Sequence, residues 1–247
     1  MSRVHFSDLK LMALSAAKYR WAIEHPSEET RAMRIGTAVH HLVLGGSARV
    51  AVWEGDRRKK GYAEWETAQD GATCLTRAEA DEAQATADAV LAHEGAQMLL
   101  AGCVCEQPLA WEWQGIEFAT RGIDAYAPGR IVELKTTKSS QPDRFMRDAT
   151  ARAYHAQLAL YRIGLRATGI DINRAAIIAV ENNQDHDVTI LELSERTLQE
   201  GEKLLVSWCE RYRACVAARI WPGYVQSPVV WDVDMGFGGL PMEDDQE

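Results

Sequence analysis

Between Val104 and Thr137 apolar and polar residues alternate in three runs, Val104 to Trp111, Ile116 to Ala125 and Ile131 to Thr136, separated by Gln114-Gly115 and Pro128-Gly129. A period of two with turn residues between the runs predicts three strands of an antiparallel meander. Ala175 to Val180 and Asp187 to Leu193 predict two further strands. Elsewhere the spacing is helical. Leu11, Leu14 and Ala17 follow Ser7-Asp8 and predict a helix over about residues 7–23. After the His25-Pro26-Ser27 turn, Ile35, Val39, Leu42 and Val43 predict a second helix opening near Glu28. Thr76 stands three positions before Glu79, a capping box, and the alanine-rich stretch to about Leu100 predicts a third helix. Pro142 opens another, Ala151 to Thr168 forms the next, and Ser194 caps a long last helix to about Ala218. The polar stretch 54–73 reads as a loop or elaboration. Strands and helices in this order predict α/β (α+β) architecture, a central mixed sheet flanked by helices, as one domain over 1–241 with an N-terminal helical elaboration and a mobile acidic tail at 242–247.

Composition narrows the class. A chain of 247 residues with 47% apolar content builds a sizeable core, its apolar runs are shorter than a membrane span, and Met1-Ser2-Arg3-Val4-His5 lacks the pattern of a leader. The expectation is a cytoplasmic protein with no membrane partner. Five cysteines, scattered and odd in number, predict reduced thiols, and with no C-x-x-C pair neither a zinc site nor an iron–sulfur cluster is expected. The net charge of −9 is unevenly spread: residues 232–247 carry six acids and no base, whereas residues 135–166 carry seven bases and two acids. A charge run is commonly a solvated face, so the basic segment supports a nucleic-acid partner without deciding it.

Alternation puts Glu133 and Lys135 on one face of a strand, with Val132 and Leu134 on the other. Asp124, nine positions before Glu133, lies across the Ala127-Pro128-Gly129 turn. Two carboxylates and the Leu134 carbonyl form an incomplete oxygen shell for Mg²⁺, leaving positions for water and a phosphate oxygen, while Lys135 stands ready to orient a nucleophile or offset charge. Alone, Glu-x-Lys is an ordinary surface pair. Gln157 and Tyr161, four apart on a helix, share a face, as do Gly36 and His40; His41 points about 100° away from His40.

Taken together, Gly36-Thr37-Ala38-Val39-His40, Glu106, Gly122-Ile123-Asp124, Glu133-Leu134-Lys135-Thr136-Thr137 and Gln157-Leu158-Ala159-Leu160-Tyr161 resemble the successive motifs of RecB-like nucleases of the PD-(D/E)XK superfamily. The likeness spans roughly residues 7–165, with core motifs at 30–165, and within the family it is greatest to phage or prophage nuclease domains of the exodeoxyribonuclease VIII (RecE) type. Ile123 stands where the superfamily's name-giving proline would be.

The resemblance implies a restriction-endonuclease-like core in which His40, Asp124, Glu133 and the Leu134 carbonyl bind Mg²⁺, or Mn²⁺ in its place, and Lys135 is the catalytic lysine. Gln157 and Tyr161 form the accessory motif near the DNA and the lysine, and Glu106, on the strand before the core hairpin, is a candidate accessory residue. Some relatives carry a cluster on late cysteines; Cys209 and Cys215 are late here, but the C-x-x-C is missing. The implied activity is exonucleolytic hydrolysis of linear duplex DNA, 5′ to 3′, leaving 3′ tails for strand-annealing recombination, by a ring-like homo-oligomer with an annealing protein as partner. Arg31 and Arg34 are candidates for a terminal 5′ phosphate, and Thr136, Lys138, Arg144 and Arg147 for further DNA contacts. The alternatives are a non-catalytic DNA-binding module on the same fold, and an endonuclease or single-strand nuclease of the same superfamily.

Overall fold

A computed structural model describes residues 3–46, 48–225 and 227–230; Trp231 and the acidic stretch after it lie outside the described residues. In chain order the elements are α1 (Phe6–Leu9), a 3-10 turn (Lys10–Ala13), α2 (Ala16–Glu24), α3 (Arg31–Leu44), β1 (Val50–Trp53), α4 (Tyr62–Thr67), β2 (Thr73–Thr76), α5 (Arg77–Ala92) and α6 (Glu94–Leu100). There follow β3 (Val104–Trp113), β4 (Ile116–Ala127), β5 (Gly129–Thr137), α7 (Pro142–Ala151), α8 (Tyr154–Ala167), β6 (Ile172–Glu181), β7 (Val188–Leu193) and α9 (Glu195–Ala218).

The alternating runs build a five-stranded mixed sheet in the order β3-β4-β5-β6-β7. Consecutive strands pair antiparallel except β5 and β6, which run parallel and are joined through α7 and α8. Alternation along β5 divides the core. Ile131 joins a cluster with Ile177, Leu158, Leu160 and Phe118 beneath α8, whereas Val132 and Leu134 join Ile178, Val180, Ile35 and Val39 beneath α3 and α5. Fully burying each such side chain contributes about 1.5–3 kcal/mol. α9 lies across α8, where a methyl on Gly201 would come within 2.6 Å of the His155 carbonyl oxygen; only glycine permits that approach.

β4 and β5 share a ladder over a short length only, Ala125 to Ala127 against Val132 to Arg130, and then diverge. On the side of β4 that β5 leaves, Val4 pairs with Phe118, its amide donating to the Glu117 carbonyl and its own carbonyl accepting from the Ala119 amide. β3 carries a bulge between Gln107 and Leu109, and Glu106 beside it has φ +51°. The sheet is therefore forked, and its fork begins at Asp124.

Two expectations need correction. The helix over 7–23 is two helices and a 3-10 turn, because Leu9 and Met12 dive into the core and Ser15 restarts the helix by capping the Lys18 amide at 3.2 Å. The alanine-rich helix breaks at His93, which ends α5 and caps α6 through the Ala96 amide. Of the two readings of residues 54–73 the elaboration holds: α4 lies there, and the flanking β1 and β2 form a separate parallel pair. The Thr76–Glu79 capping box is present as read. Trp221 packs on Tyr19, stacked at 5.4 Å, and so covers the last helix.

Candidate active site

Four elements meet at the fork. Thr30 caps α3 by accepting from the Met33 amide, and the apolar stripe of α3 seats it on the sheet so that His40, two turns on, faces the divergence of β4 and β5. The His40 Nε2 lies 3.0 Å from the Leu134 carbonyl oxygen. A carbonyl only accepts, so Nε2 carries the hydrogen and the neutral ring turns the Nδ1 lone pair the other way. Nδ1 lies 3.5 Å from Glu106 Oε1 and 3.6 Å from Asp124 Oδ1. Burial disfavours the charged ring, but Asp124 and the Glu106 carboxylate outweigh it, and the His40 pKa is raised.

Asp124 is 7% exposed, and its Oδ2 accepts from the Leu134 amide at 2.8 Å, taking the place of a ladder carbonyl just where the strands part. Its other oxygen is left for the His40 side. Glu106 comes in from the bulged strand. A methyl on Gly122 would sit 2.7 Å from Glu106 Oε2 and 3.1 Å from its backbone, so glycine there is what lets Glu106 approach β4. One ligand-type atom from each of His40, Glu106 and Asp124 lies within 4.8 Å of the others, the sole such group of three or more among the described residues.

Glu133 and Lys135 project to the opposite side of β5 from Leu134, as alternation requires. Glu133 is 1% exposed, and its Oε1 accepts from the Lys135 Nζ at 2.5 Å and the Gln157 Nε2 at 2.6 Å. Glu133 Oε2 is buried and has no hydrogen-bond partner among the described residues. Burial, with Asp124 nearby, pushes the Glu133 pKa up to about 7 despite the opposing Lys135 charge. Burial pulls the Lys135 pKa down, but Glu133 and Asp124 overcome it, and the result is raised. The ammonium thus stays charged, 5.0 Å over the Tyr154 ring. Gln157 also contacts the Tyr161 hydroxyl at 3.3 Å, which in turn meets Thr120 Oγ1 at 3.4 Å; burial raises the Tyr161 pKa to about 12.

All the residues of the expected core converge, but they divide into two sets. His40, Asp124 and Glu106 form the cation-type cluster, so Glu106 stands nearer its centre than an accessory position implies. Glu133 sits with Lys135 and Gln157, and the Leu134 carbonyl holds the His40 ring. The set of imidazole nitrogen and carboxylate oxygens suits Mg²⁺ or Mn²⁺, while Glu133, expected among the ligands, stands outside that group with its buried Oε2 unpartnered among the described residues.

The DNA-contact candidates fare differently. Arg31 pairs with Glu82 and Glu79, and Arg34 with Glu79 and the Glu29 carbonyl, in a network that also holds Arg57. Both are ion-paired with acids of α5, Arg31 at an exposed position and Arg34 at a half-buried one. Thr136 lies against Gly36, where an added methyl would be 3.5 Å from its hydroxyl. Lys138, Arg144 and Arg147 are exposed, whereas Arg162 is buried on Glu195 at 2.7 Å and Arg166 pairs with Asp171. The basic segment is thus smaller at the surface than its count of charges. Sequence reasoning overlooked Tyr154, which was within reach, three positions before Gln157 on the same helix face.

A family model described as a PDDEXK-like domain of unknown function (DUF3799) matches residues 5–227. No curated protein matches the chain. Among solved structures, a crystal structure named "Putative exonuclease" from Eubacterium rectale superposes with a TM-score of 0.65 at 17% identity, over 96% of this chain and 93% of that one. A second, the crystal structure of SSO0001, reaches a TM-score of 0.28 at 13% identity over 70% and 83% of the two chains, too low a similarity to argue from.

Proposed function

The chain belongs to the PDDEXK-like family DUF3799, and from that premise we propose that it is a divalent-metal-dependent deoxyribonuclease. The observation that carries the reading is the meeting, at the forked end of β4 and β5, of the His40–Glu106–Asp124 cluster with the buried Glu133–Lys135–Gln157 group. Lys135 offsets the charge of Glu133, whereas Asp124 and Glu106 face only the His40 ring, so a cation there would offset what the side chains leave uncompensated, and the Lys135 ammonium beside it would meet the phosphate that the cation binds.

A bound cation would supply acidity to a coordinated water and neutralise charge on the phosphate. His40, Glu106 and Asp124 would hold it, with Glu133 Oε2 as a further donor. Lys135, fixed by Glu133 and by the Tyr154 face, would bind a phosphate oxygen or the nucleophilic water and offset charge as the bond to the leaving oxygen lengthens. Gln157 keeps Glu133 turned toward Lys135, and Tyr161 keeps Gln157 in place. The Leu134 carbonyl, by accepting from Nε2, keeps the Nδ1 lone pair on the cation side.

Attack from chain ends, 5′ to 3′, with 3′ tails passed to a strand-annealing partner, is the finer form of the proposal; the RecE-type resemblance supports it, and the printed name of the Eubacterium rectale protein supports its exonuclease part alone. A ring of copies around duplex DNA belongs to the same reading and is tested by the particle mass in solution with and without DNA. The experiment for the activity compares linear duplex, circular duplex and single-stranded DNA with Mg²⁺ or Mn²⁺. Loss of linear duplex, sparing of circles and no cleavage by Lys135→Ala are expected. No metal-dependent cleavage by the wild type overturns the nuclease reading, and equal cutting of circles and ends overturns only its exonuclease form.

A further inference from the structure

Helix α7 stands two ring contacts from the lysine of the site. Its one buried side chain, Phe145, lies 6.3 Å from the Tyr154 ring, centre to centre, and that ring lies 5.0 Å from the Lys135 Nζ. The rest of α7 is turned by the helical period of about 100° per residue. Met146, Ala149 and Thr150 fall on one flank, where they border a cleft whose other walls include Leu191 and Leu193 of β7 and Arg196 of α9. That flank looks toward the β7 edge of the sheet. Arg144 falls on the opposite flank, and Arg147 faces outward between the two. In the strand order β3-β4-β5-β6-β7 the fork lies on the other side of β5 from β7, so the Arg144 flank is the one on the side of the fork.

Both arginines are exposed, and among the described residues neither forms an ion pair within 4.0 Å. Asp148 shares the Arg144 flank and Asp143 the outer face, yet neither acid pairs with them. Arginines elsewhere are spent on the protein itself: Arg31, Arg34 and Arg57 on Glu82 and Glu79, Arg162 on Glu195, Arg174 on Glu192. A helix is about 10–12 Å across with its side chains, so the two guanidinium groups stand on the order of 10–15 Å from the Lys135 Nζ. At about 3.4 Å per phosphate along one strand, that is roughly three or four nucleotides. Resting on the nuclease reading for the identity of the anion, we propose that Arg144 and Arg147 form a phosphate-binding ridge beside the fork, gripping the DNA backbone a few nucleotides from the phosphodiester at Lys135. Planar guanidinium groups free of protein acids suit phosphate oxygens, and Phe145 fixes the helix that carries them.

The test measures binding apart from turnover, by fluorescence anisotropy of a labelled linear duplex with Mg²⁺ over a range of salt, in the Lys135→Ala background. Into it go Arg144→Gln with Arg147→Gln, the conservative pair Arg144→Lys with Arg147→Lys, and Lys203→Gln as a distant control, since Lys203 is paired with Glu200 on α9. The glutamine pair should bind about 10-fold or more weakly at low salt, and the slope of log Kd against log salt should become shallower by about two, one for each lost contact. The lysine pair keeps the slope, the control moves neither quantity, and Tm and Mn²⁺ affinity stay unchanged in all of them. An unchanged slope in the glutamine pair overturns the proposal, as does an equal change in Lys203→Gln or no duplex binding by the Lys135→Ala protein. Weaker binding accompanied by a lower Tm and weaker Mn²⁺ binding also overturns it, because the arginines would then be structural. A wild type that never cleaves DNA, while the glutamine pair loses binding as expected, overturns the nuclease reading and leaves the α7 assignment standing.

Discussion

Replacing Asp124 separates its two jobs. Its Oδ2 accepts from the Leu134 amide at 2.8 Å where β4 and β5 no longer share a ladder, so no strand carbonyl takes over when the side chain is removed. A buried donor left without a partner costs about 1–3 kcal/mol. In a chain of this size 1 kcal/mol moves the melting temperature by about 2–4 °C, so metal-free Asp124→Ala should melt roughly 2–12 °C lower, less whatever is regained as Glu133 loses a repelling neighbour. Asp124→Asn keeps an acceptor for the amide and discards the charge, so its metal-free melting temperature should match or exceed the wild type's. Both variants should lose the stabilisation by Mg²⁺, which at a hundred times Kd is about 2.7 kcal/mol, or roughly 5–11 °C here. Thermal melts by circular dichroism, in chelator and in Mg²⁺, read all of this. An Asp124→Asn protein that melts as low as Asp124→Ala without metal, or that keeps the Mg²⁺ shift, would refute the reasoning.

Further outcomes follow from the same geometry. Glu133 holds its proton more tightly in the folded state, up to about 7, so the metal-free protein should lose stability as pH rises from about 4.5 through 7. His40, also raised, acts in the same direction over the upper part of that window, and denaturant titrations in chelator at pH 5.5 and 7.5 should show a smaller difference for Glu133→Gln; an unchanged difference contradicts the assignment. Gly122→Ala should weaken metal binding about 10-fold or more while leaving a folded protein by circular dichroism, because its methyl falls 2.7 Å from the Glu106 carboxylate; undiminished metal-induced stabilisation would show that Glu106 is dispensable. Gly36→Ala meets only the Thr136 hydroxyl at 3.5 Å, so it should raise the melting temperature through as much as about 1 kcal/mol of helix propensity, and a lowered one would mean that the α3 face is more crowded than it stands.

Much of the site was legible before any coordinates, and for identifiable reasons. Alternation along β5 put Glu133 and Lys135 on one face and Leu134 on the other, and the helix period put Gln157 and Tyr161 together; both relations hold because they are consequences of backbone geometry alone. The resemblance added His40, which local spacing leaves equivalent to any surface histidine. His41 shows the difference, since its Nδ1 is buried with no partner among the described residues while the His40 Nδ1 faces two carboxylates.

What escaped reading is non-local. The fork between β4 and β5, the bulge that turns Glu106 inward and the entry of Val4 beside Phe118 depend on which strands stop pairing, and no periodicity in either strand records that. The breaks at Ser15 and His93 were hidden by apolar spacing that continues through them, with capping overriding the period. Net charge misled in part, because Arg162 and Arg166 pair with acids that lie far away in sequence or across a turn.

The central proposal is a divalent cation held by His40, Glu106 and Asp124. Titration of the protein with Mn²⁺, followed by the loss of the free-ion electron paramagnetic resonance signal, measures that without DNA or turnover. Wild type and His41→Ala should bind alike, while His40→Ala, Glu106→Gln and Asp124→Asn should each bind about 10-fold or more weakly, in keeping with the loss of one charged or lone-pair donor. No binding by the wild type, or equal weakening by His40→Ala and His41→Ala, would contradict it.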